Sequence, residues 1–154
     1  MLTGSLSNKP DFKYLSIGSA YTYNLSGDVT DCADMYFFSV NDATAALTGN
    51  MNSWSKIQLI NGNMGSITKL LRLNDKPAIA FFYPQWSYTS EQVNQLLADV
   101  WLNRNDDKTD DDGFTTGYRT IQLNYGGSGA PTGQGLTDKA ALAAYSSPTP
   151  PGTA

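Results

Sequence analysis

The chain has 154 residues, of which 16% are charged, and its net charge is −4. This length predicts one domain with a core of ordinary size. The sequence has no histidine and a single cysteine, Cys32, which excludes Ser-His-Asp and Cys-His catalysis, histidine-ligated metals and an intramolecular disulfide. The lysines and arginines are scattered, so no nucleic-acid partner is expected. No run approaches the ~20 apolar residues of a membrane span, so no membrane insertion is expected.

A five-residue phrase with a central glycine occurs three times in the first third of the chain. The copies are Leu-Thr-Gly-Ser-Leu at 2–6, Leu-Ser-Gly-Asp-Val at 25–29 and Leu-Thr-Gly-Asn-Met at 47–51. An apolar cluster begins at the same offset after each copy, at Phe12, Met35 and Ile57. The repeat of roughly 22 residues lies inside the range of leucine-rich repeats, so the pattern predicts a stack of one short unit.

Each apolar cluster predicts a short strand of one parallel sheet. The spacing L-x-x-L-x-L, together with the alternation of strand side chains, decides which residues point to the core. The residues predicted to face inward are Leu15, Ile17, Met35, Phe38, Val40, Ile57 and Ile60. The same alternation places Tyr14, Phe37 and Leu59 on an open face, in three successive strands.

Three further strands are expected after the third repeat. A shortened fourth copy, Ile-Asn-Gly-Asn-Met at 60–64, would put Leu70 and Leu73 inward and Arg72 on the open face. A fifth strand is predicted over 78–83 and a last one over 120–125. The residues that would then line up across the open face are Tyr14, Phe37, Leu59, Arg72 and Gln122.

After the fifth strand the apolar period changes to that of a helix. Thr89 and Gln92 have the spacing of a capping box, and apolar residues follow at 93, 96, 97, 100 and 101. A second, short helix is predicted to begin at Thr137 and Asp138 and to continue through Tyr145.

These elements predict an α/β protein, a leucine-rich-repeat-like solenoid with a short-stranded parallel sheet and irregular or helical returns. The solenoid domain would cover 1–145, with repeats over 1–87 and a closing helix-strand-helix module over 88–145. Residues 146–154 would form a Pro/Ser/Thr-rich tail. Solenoids need capped ends, and the first repeat begins at residue 2. We therefore expect that an upstream domain or a partner subunit covers that end, or that the chain is truncated there.

The three phrases resemble the leucine-rich-repeat-like segments of bacterial surface antigens and of bacteriophage tail proteins. The C-terminal part, carried by 88–94, 120–124 and 129–142, is similar to a closing module of phage tail-fibre and minor virion proteins. Together the two resemblances cover most of the chain. The chain departs from the module in its long insert at 103–117 and in its Pro-rich tail.

The resemblance implies a non-enzymatic structural protein of a phage virion, in the tail or a fibre, that acts in assembly or host-surface attachment. It implies no cofactor. The expected partners are other virion proteins or copies of this chain, and a host surface glycan or protein. The alternative is a repeat domain of a bacterial adhesin, located on the bacterial cell surface.

Two other segments have patterns that occur in functional sites, and one further candidate function is enzymatic. The acidic loop 106–112 offers clustered oxygen ligands for calcium, with Asp110 and Asp112 as candidates, but its register fails the EF-hand and a solvated insert is favoured. The glycine-rich run 126–135 lacks the Gly-Lys-Ser/Thr ending of a phosphate loop and is interpreted as a structural turn. A tailspike-type enzyme that degrades polysaccharide would need paired carboxylates, and no two stand out as a pair.

The open face is the site that the sequence favours. Aromatic side chains beside amides and hydroxyls suit contact with carbohydrate or protein. The competing interpretation is that the apolar row is covered by a neighbouring subunit. Trp54 and Trp86, which fall on returns or loops, have the same two interpretations.

Overall fold

A computed structural model of the chain describes residues 2–18, 23–41, 46–76, 78–104, 120–123 and 125–144. These residues form a β-solenoid of about three turns with parallel strands and two helices. The strands are β1 Leu2–Ser5, β2 Tyr14–Ile17, β3 Tyr23–Asp28, β4 Phe37–Val40, β5 Ala46–Thr48, β6 Leu59–Gly62, β7 Phe81–Pro84 and β8 Thr120–Ile121. The helices are α1 Ser90–Leu102 and α2 Gln134–Ala144.

The expected parallel sheet is present and has five strands, in the order β2-β4-β6-β7-β8. Tyr14 lies opposite Phe37, and Phe37 lies opposite Leu59. The alternate positions of this sheet are buried, as the apolar spacing predicts: Leu15, Ile17, Phe38, Val40, Ile60 and Phe82. The last strand is shorter than the expected 120–125 and consists of two residues.

A second parallel sheet, which the sequence analysis did not anticipate, has the order β1-β3-β5. The repeated phrase forms its strands. Leu25 and Leu47 are buried, whereas their neighbours Ser26 and Thr48 are exposed. Buried residues of both sheets belong to one continuous cluster, so the core lies between the sheets and the phrase is a strand rather than an irregular return.

The strands of the three-stranded sheet are offset from the sequence repeat. Gly27 pairs with Leu47, although the phrase would match Gly27 with Gly49. The offset is two residues. Because strand side chains alternate with a period of two, this shift keeps the leucines on the core side.

The central glycine of the phrase lets the chain turn away from the three-stranded sheet. Gly27 has a φ of 111°, which residues with a Cβ rarely adopt. The carboxylate of Asp28 then accepts a hydrogen bond from the backbone N–H of Thr30 at 2.8 Å, closing an Asx turn. The side-chain and backbone hydrogen bonds of Thr30 hold the pKa of Asp28 below its usual range. The third repeat makes the same turn with Gly49, Asn50 and Asn52.

Hydroxyl groups tie each corner to the next one. The Oγ of Ser7 accepts the backbone N–H of Asp28 at 2.9 Å. One repeat later, the Oγ1 of Thr30 accepts the backbone N–H of Asn50 at 3.1 Å. Each corner therefore supplies a hydrogen-bond acceptor to the corner stacked upon it, and the turn chemistry has to recur with the repeat.

Between a corner and the next strand of the five-stranded sheet, the chain makes successive turns whose N–H and carbonyl partners are three residues apart. In the second, third and fourth repeats two successive turns place a buried side chain between them, that of Cys32, Trp54 and Lys76 respectively. Lys76 is fully buried, and its Nζ donates to the backbone carbonyl of Asn52 at 3.1 Å. The fourth corner therefore falls at Leu73, one repeat after Met51.

The expected fourth strand with Arg72 on its open face is wrong. Among the described residues between β6 and β7 there are turns but no strand. The copy of the phrase at 60–64 makes a local turn at the end of β6, where Asn63 accepts the N–H of Gly65 at 3.0 Å. Leu70 and Leu73 are buried, as expected. The reason for the error is that the phrase specifies a turn, and this turn can follow a strand of either sheet.

The backbone N–H groups at the corners donate hydrogen bonds toward the next repeat, and Asp99 of α1 accepts the last of these bonds among the described residues. In the second corner the backbone N–H of Val29 donates to the carbonyl of Thr48 in the next strand. At the fourth corner the equivalent N–H, that of Leu73, donates instead to Oδ2 of Asp99 at 2.7 Å. The carboxylate takes the place of a peptide carbonyl, so α1 closes this side of the stack.

The Asp99 carboxylate is fully buried and has two further partners. The Arg72 guanidinium contacts it through Nε at 2.9 Å and Nη2 at 3.0 Å, and Gln95 donates to it at 3.1 Å. Hydrogen bonding to Asp99 raises the pKa of Arg72. One helical turn later, Nδ2 of Asn103 donates to the carbonyl of Leu73 at 2.8 Å. The polar face of α1 is thereby clamped to the solenoid.

The helix predictions are confirmed for α1 and corrected for α2. Thr89 caps α1, and Thr89 and Gln92 make both hydrogen bonds of a capping box. α2 begins at Gln134 rather than at Thr137. Asp138 does not cap it, because its carboxylate accepts a hydrogen bond from the Gln134 side chain within the helix. Neither of these helices, which are those of the described residues, is long and apolar enough to cross a bilayer.

We expect Gly62→Ala to lower the free energy of unfolding by about 2 kcal/mol or more, since the substitution forces an L residue into a strained conformation. Gly62 has a φ of 96°, and a Cβ there would collide with the carbonyl oxygen of Val40. Gly18→Ala is the matched control, because a Cβ at Gly18 meets no atom within 4 Å. Urea denaturation measures both, and equal stability of the two variants would contradict the turn geometry.

Asp99→Ala is expected to cost about 2–3 kcal/mol of stability, because it leaves the buried N–H of Leu73 without an acceptor. Asp99→Asn keeps an acceptor oxygen and should cost less. The control is Asp11→Ala, at an exposed aspartate. Thermal and urea unfolding followed by circular dichroism will rank the three, and a neutral Asp99→Ala would show that the clamp does not hold α1 in place.

Candidate functional site

The open face of the five-stranded sheet presents a row of side chains in register, which are large on the first four strands and a threonine on the fifth. The register aligns Tyr14, Phe37, Leu59, Phe81 and Thr120. Tyr14 is 51% exposed. Phe37, Leu59 and Phe81 are partly buried. We call this set the apolar row.

The next outward positions along the strands form a second row. It consists of Ser16, Ser39, Asn61 and Tyr83. The Nδ2 of Asn61 donates to the Oγ of Ser39 at 3.3 Å. Hydroxyl and amide groups thus run beside the apolar row on four of its five strands, and we call them the polar row.

The third row consists of residues with amide side chains, Asn41, Asn63 and Gln85, which come directly after the ends of β4, β6 and β7. The backbone N–H groups of Asn41, Asn63 and Gln85 donate to the preceding strand, and so extend the ladder by one residue. Apolar, hydroxyl and amide groups therefore follow one another in parallel bands. We call the three rows together the outer face.

The outer face carries no charged side chain at any of its described positions, which are Tyr14, Phe37, Leu59, Phe81, Thr120, Ser16, Ser39, Asn61, Tyr83, Asn41, Asn63 and Gln85. Charged residues lie instead at the rim where the strands begin. The ring of Tyr36 stacks on that of Tyr14 with centroids 6.1 Å apart. Lys13 and Lys56 both approach the Tyr36 ring, at 5.7 Å and 6.0 Å from its centroid.

Of the two rim lysines, Lys56 forms an ion pair with a neighbouring aspartate. Lys56 Nζ lies 2.6 Å from Oδ1 of Asp34. This hydrogen bond, with the charge of Lys56, lowers the pKa of Asp34. The pair is partly exposed and contributes little to stability. The paired Lys56 Nζ lies 6.0 Å from the centroid of the Tyr36 ring.

The structure brings together three of the five residues expected on the open face. Tyr14, Phe37 and Leu59 are neighbours in the apolar row. Arg72 lies outside the sheet and pairs with Asp99. Gln122 is not in this row, because Thr120 lies opposite Phe81 and Gln122 follows one alternation later, with its N–H bonded to the carbonyl of Phe82. A binding role for the three remaining residues stays a prediction.

Phe81 and Tyr83 are members of the outer face that the sequence analysis missed. The signal for them was available, because the expected strand over 78–83 has Phe82 inward and its neighbours must then point outward. The shortened fourth copy of the phrase was interpreted as a new repeat with its own strand. Arg72 was therefore assigned to the open-face position next to Leu59, which Phe81 occupies in the structure.

The remaining sequence candidates add no second site. Asp110 and Asp112 lie outside the described residues, and among those described no cluster of three potential metal-ligating side chains occurs. The glycine-rich segment packs against the start of α1: Ser87 Oγ donates to the carbonyl of Gly126, and the N–H of Gly129 donates to that of Tyr88. Burial raises the pKa of the Tyr88 phenol, whose hydroxyl donates to the carbonyl of Leu70.

Trp54 and Trp86, which the sequence analysis singled out, are not part of the outer face. Trp54 is fully buried between Phe38, at 5.1 Å between ring centroids, and the Val29 carbonyl, to which its Nε1 donates. Trp86 is buried against the edge of Tyr88. Both tryptophans belong to the core, which leaves Tyr14, Phe37, Phe81 and Tyr83 as the aromatic groups of the outer face.

Comparison with known proteins yields no relative: the chain matches no family model, no curated protein and no solved structure.

Two adjacent phenylalanines test which side of the strand is the core, because Phe37 points to the outer face and Phe38 points to the core. Phe38→Ala is expected to lower the free energy of unfolding by about 3–5 kcal/mol, because Phe38 is fully buried. Phe37→Ala removes a side chain that is partly exposed and should cost about 1 kcal/mol or less. Chemical denaturation measures the difference. A larger loss for Phe37→Ala would mean that the strand faces the other way.

Proposed function

We propose that this protein is a non-enzymatic attachment module that binds its partner through the outer face. The observation that carries the proposal is the apolar row, whose aromatic and aliphatic members lie in register on four successive strands and stay at least partly exposed. Soluble monomers seldom expose contiguous apolar groups unless these contact a partner. The row offers such a surface on a rigid sheet.

The scaffold supports a binding role because it holds the side chains on paired strands rather than on loops. Each outward residue sits on a strand that is paired within the described sheet. The inward residues beneath them are packed in one cluster. A surface held in this way loses little conformational freedom on binding, which favours affinity.

For the biological setting we propose the tail or a fibre of a phage virion, with the module acting in assembly or host-surface attachment. The support is the resemblance of the phrases and of the C-terminal segments to such proteins, and the repeat spacing that suggests a leucine-rich-repeat type of solenoid. The alternative setting is a bacterial cell-surface adhesin, for which the same outer face would serve.

The test uses labelled protein and flow cytometry on a panel of bacterial strains. The double variant Tyr14→Ala/Phe37→Ala is expected to weaken cell binding at least tenfold, as removal of central aromatic contacts commonly does. If the module acts in assembly instead, sedimentation should show the same loss for self-association or for binding to purified particles.

The control is Ser26→Ala/Thr48→Ala, on the exposed side of the three-stranded sheet. It should bind as the parent does, and both variants should unfold near the parent's temperature. Full binding by Tyr14→Ala/Phe37→Ala would refute the proposal. Recovery of the protein with purified virions would favour the phage setting, and labelling on intact bacteria the adhesin setting.

A further inference from the structure

We infer that the ligand of the outer face is an uncharged polysaccharide whose chain lies across the strands, along the apolar row. The inference rests on the proposed function and names the class of ligand for the same surface. It is carried by three properties of the outer face: its lack of charge, its division into apolar and hydrogen-bonding bands, and its repetition from strand to strand.

The first property argues for a neutral ligand. The described positions of the three rows hold only aromatic, aliphatic, hydroxyl and amide side chains. A charged ligand would give up hydration there without meeting an opposite charge, which is costly. Of the two lysines at the rim, Lys56 is paired with Asp34, and Lys13 lies over the ring of Tyr36, outside the three rows. Nucleic acid, acidic polysaccharide and charged peptide are therefore disfavoured.

The second property matches the two-sided chemistry of a sugar ring. A pyranose has a face of C–H groups, which stacks on aromatic side chains, and a periphery of hydroxyl groups, which seek donors and acceptors. The apolar row presents Tyr14, Phe37 and Phe81 for stacking. The adjacent polar row presents the hydroxyl of Ser16 and the amide of Asn61, each two residues further along its strand than the member of the apolar row.

The third property selects a polymer over a small sugar. Neighbouring strands are about 4.8 Å apart, so the five strands span roughly 19 Å. Small ligands usually occupy concave pockets, whereas here equivalent positions recur on every strand of an open sheet. A ligand that repeats along its own axis can contact each strand in the same way.

A second copy of the chain fits the outer face less well. The core of a permanent protein interface is largely apolar. Here one band of three is apolar, and the other two consist mainly of Ser, Asn and Gln. Ser39 is buried and accepts a hydrogen bond from Asn61, whereas the partly exposed amide of Asn61 has further hydrogen-bonding capacity that a sugar can use.

Affinity electrophoresis of the full chain tests the inference directly. Each gel contains one polysaccharide. The neutral ones are dextran, mannan, galactan and β-glucan, and the anionic ones are alginate and hyaluronate. At least one neutral polymer should retard the parent, and 1 M NaCl should leave the retardation unchanged because no ion pairs are involved. Retardation by the anionic polymers alone, abolished by salt, would overturn the inference.

The variant Tyr14→Ala/Phe81→Ala should weaken retardation at least tenfold, and Asn61→Ala by a smaller factor, while Ser26→Ala/Thr48→Ala behaves as the parent does. Circular dichroism melting of all variants guards against loss of fold. If the aromatic variant is retarded as strongly as the parent, sugars bind elsewhere and the inference fails.

Treatment of the target cells separates this inference from the proposed function. Mild periodate, which cleaves sugar diols, should abolish cell binding, and protease should leave it intact. The opposite result, with binding still dependent on Tyr14 and Phe81, would sink the polysaccharide ligand but keep the attachment module. Cell binding that ignores the outer-face variants would sink both. Dimers in sedimentation that Phe81→Ala dissociates would assign the face to a second copy.

Discussion

The corner between the two sheets is the constraint on which this fold depends. A glycine with positive φ, followed by a side chain that accepts the N–H two residues later, redirects the chain within a few residues. Ser7 and Thr30 then offer a hydroxyl to the corner of the next repeat. The corner is thus both a turn and a link in a stack, and the stack brings successive strands into register.

Such a stack must also be ended, because each corner leaves donors for the next. Asp99 supplies a carboxylate where another repeat would supply a peptide carbonyl. The same carboxylate binds Arg72, so one buried anion satisfies the ladder and orients the helix. The helix then takes the place of a strand in the return, and β8 can still join the sheet beyond β7.

The outer face follows from these two devices. Since the stack is regular, the residues that point outward fall into bands across the strands: a mainly apolar band and two bands of mainly hydroxyl and amide groups. The phenylalanines and the leucine of the apolar band are partly exposed, and the members of the other two bands are at least partly exposed, except the buried Ser39. These bands hold no charged side chain at their described positions and repeat from strand to strand, which is why the proposed ligand is an extended neutral polymer rather than a small molecule or an acidic chain.

The amino-acid sequence by itself determined the parallel stack, the inward and outward faces of the first three strands, and the capping box of α1. These features depend on short-range spacing: alternation along a strand, a repeat of fixed length, and a local cap. Only the tertiary structure decided that the phrase forms a second sheet, that Arg72 leaves the open face, and that Phe81 and Tyr83 complete it. Those outcomes depend on which strand a turn follows and on a carboxylate brought from a distant helix. The phrase at 60–64 has the same local chemistry as its predecessors, so spacing alone could not reveal its different place in the stack.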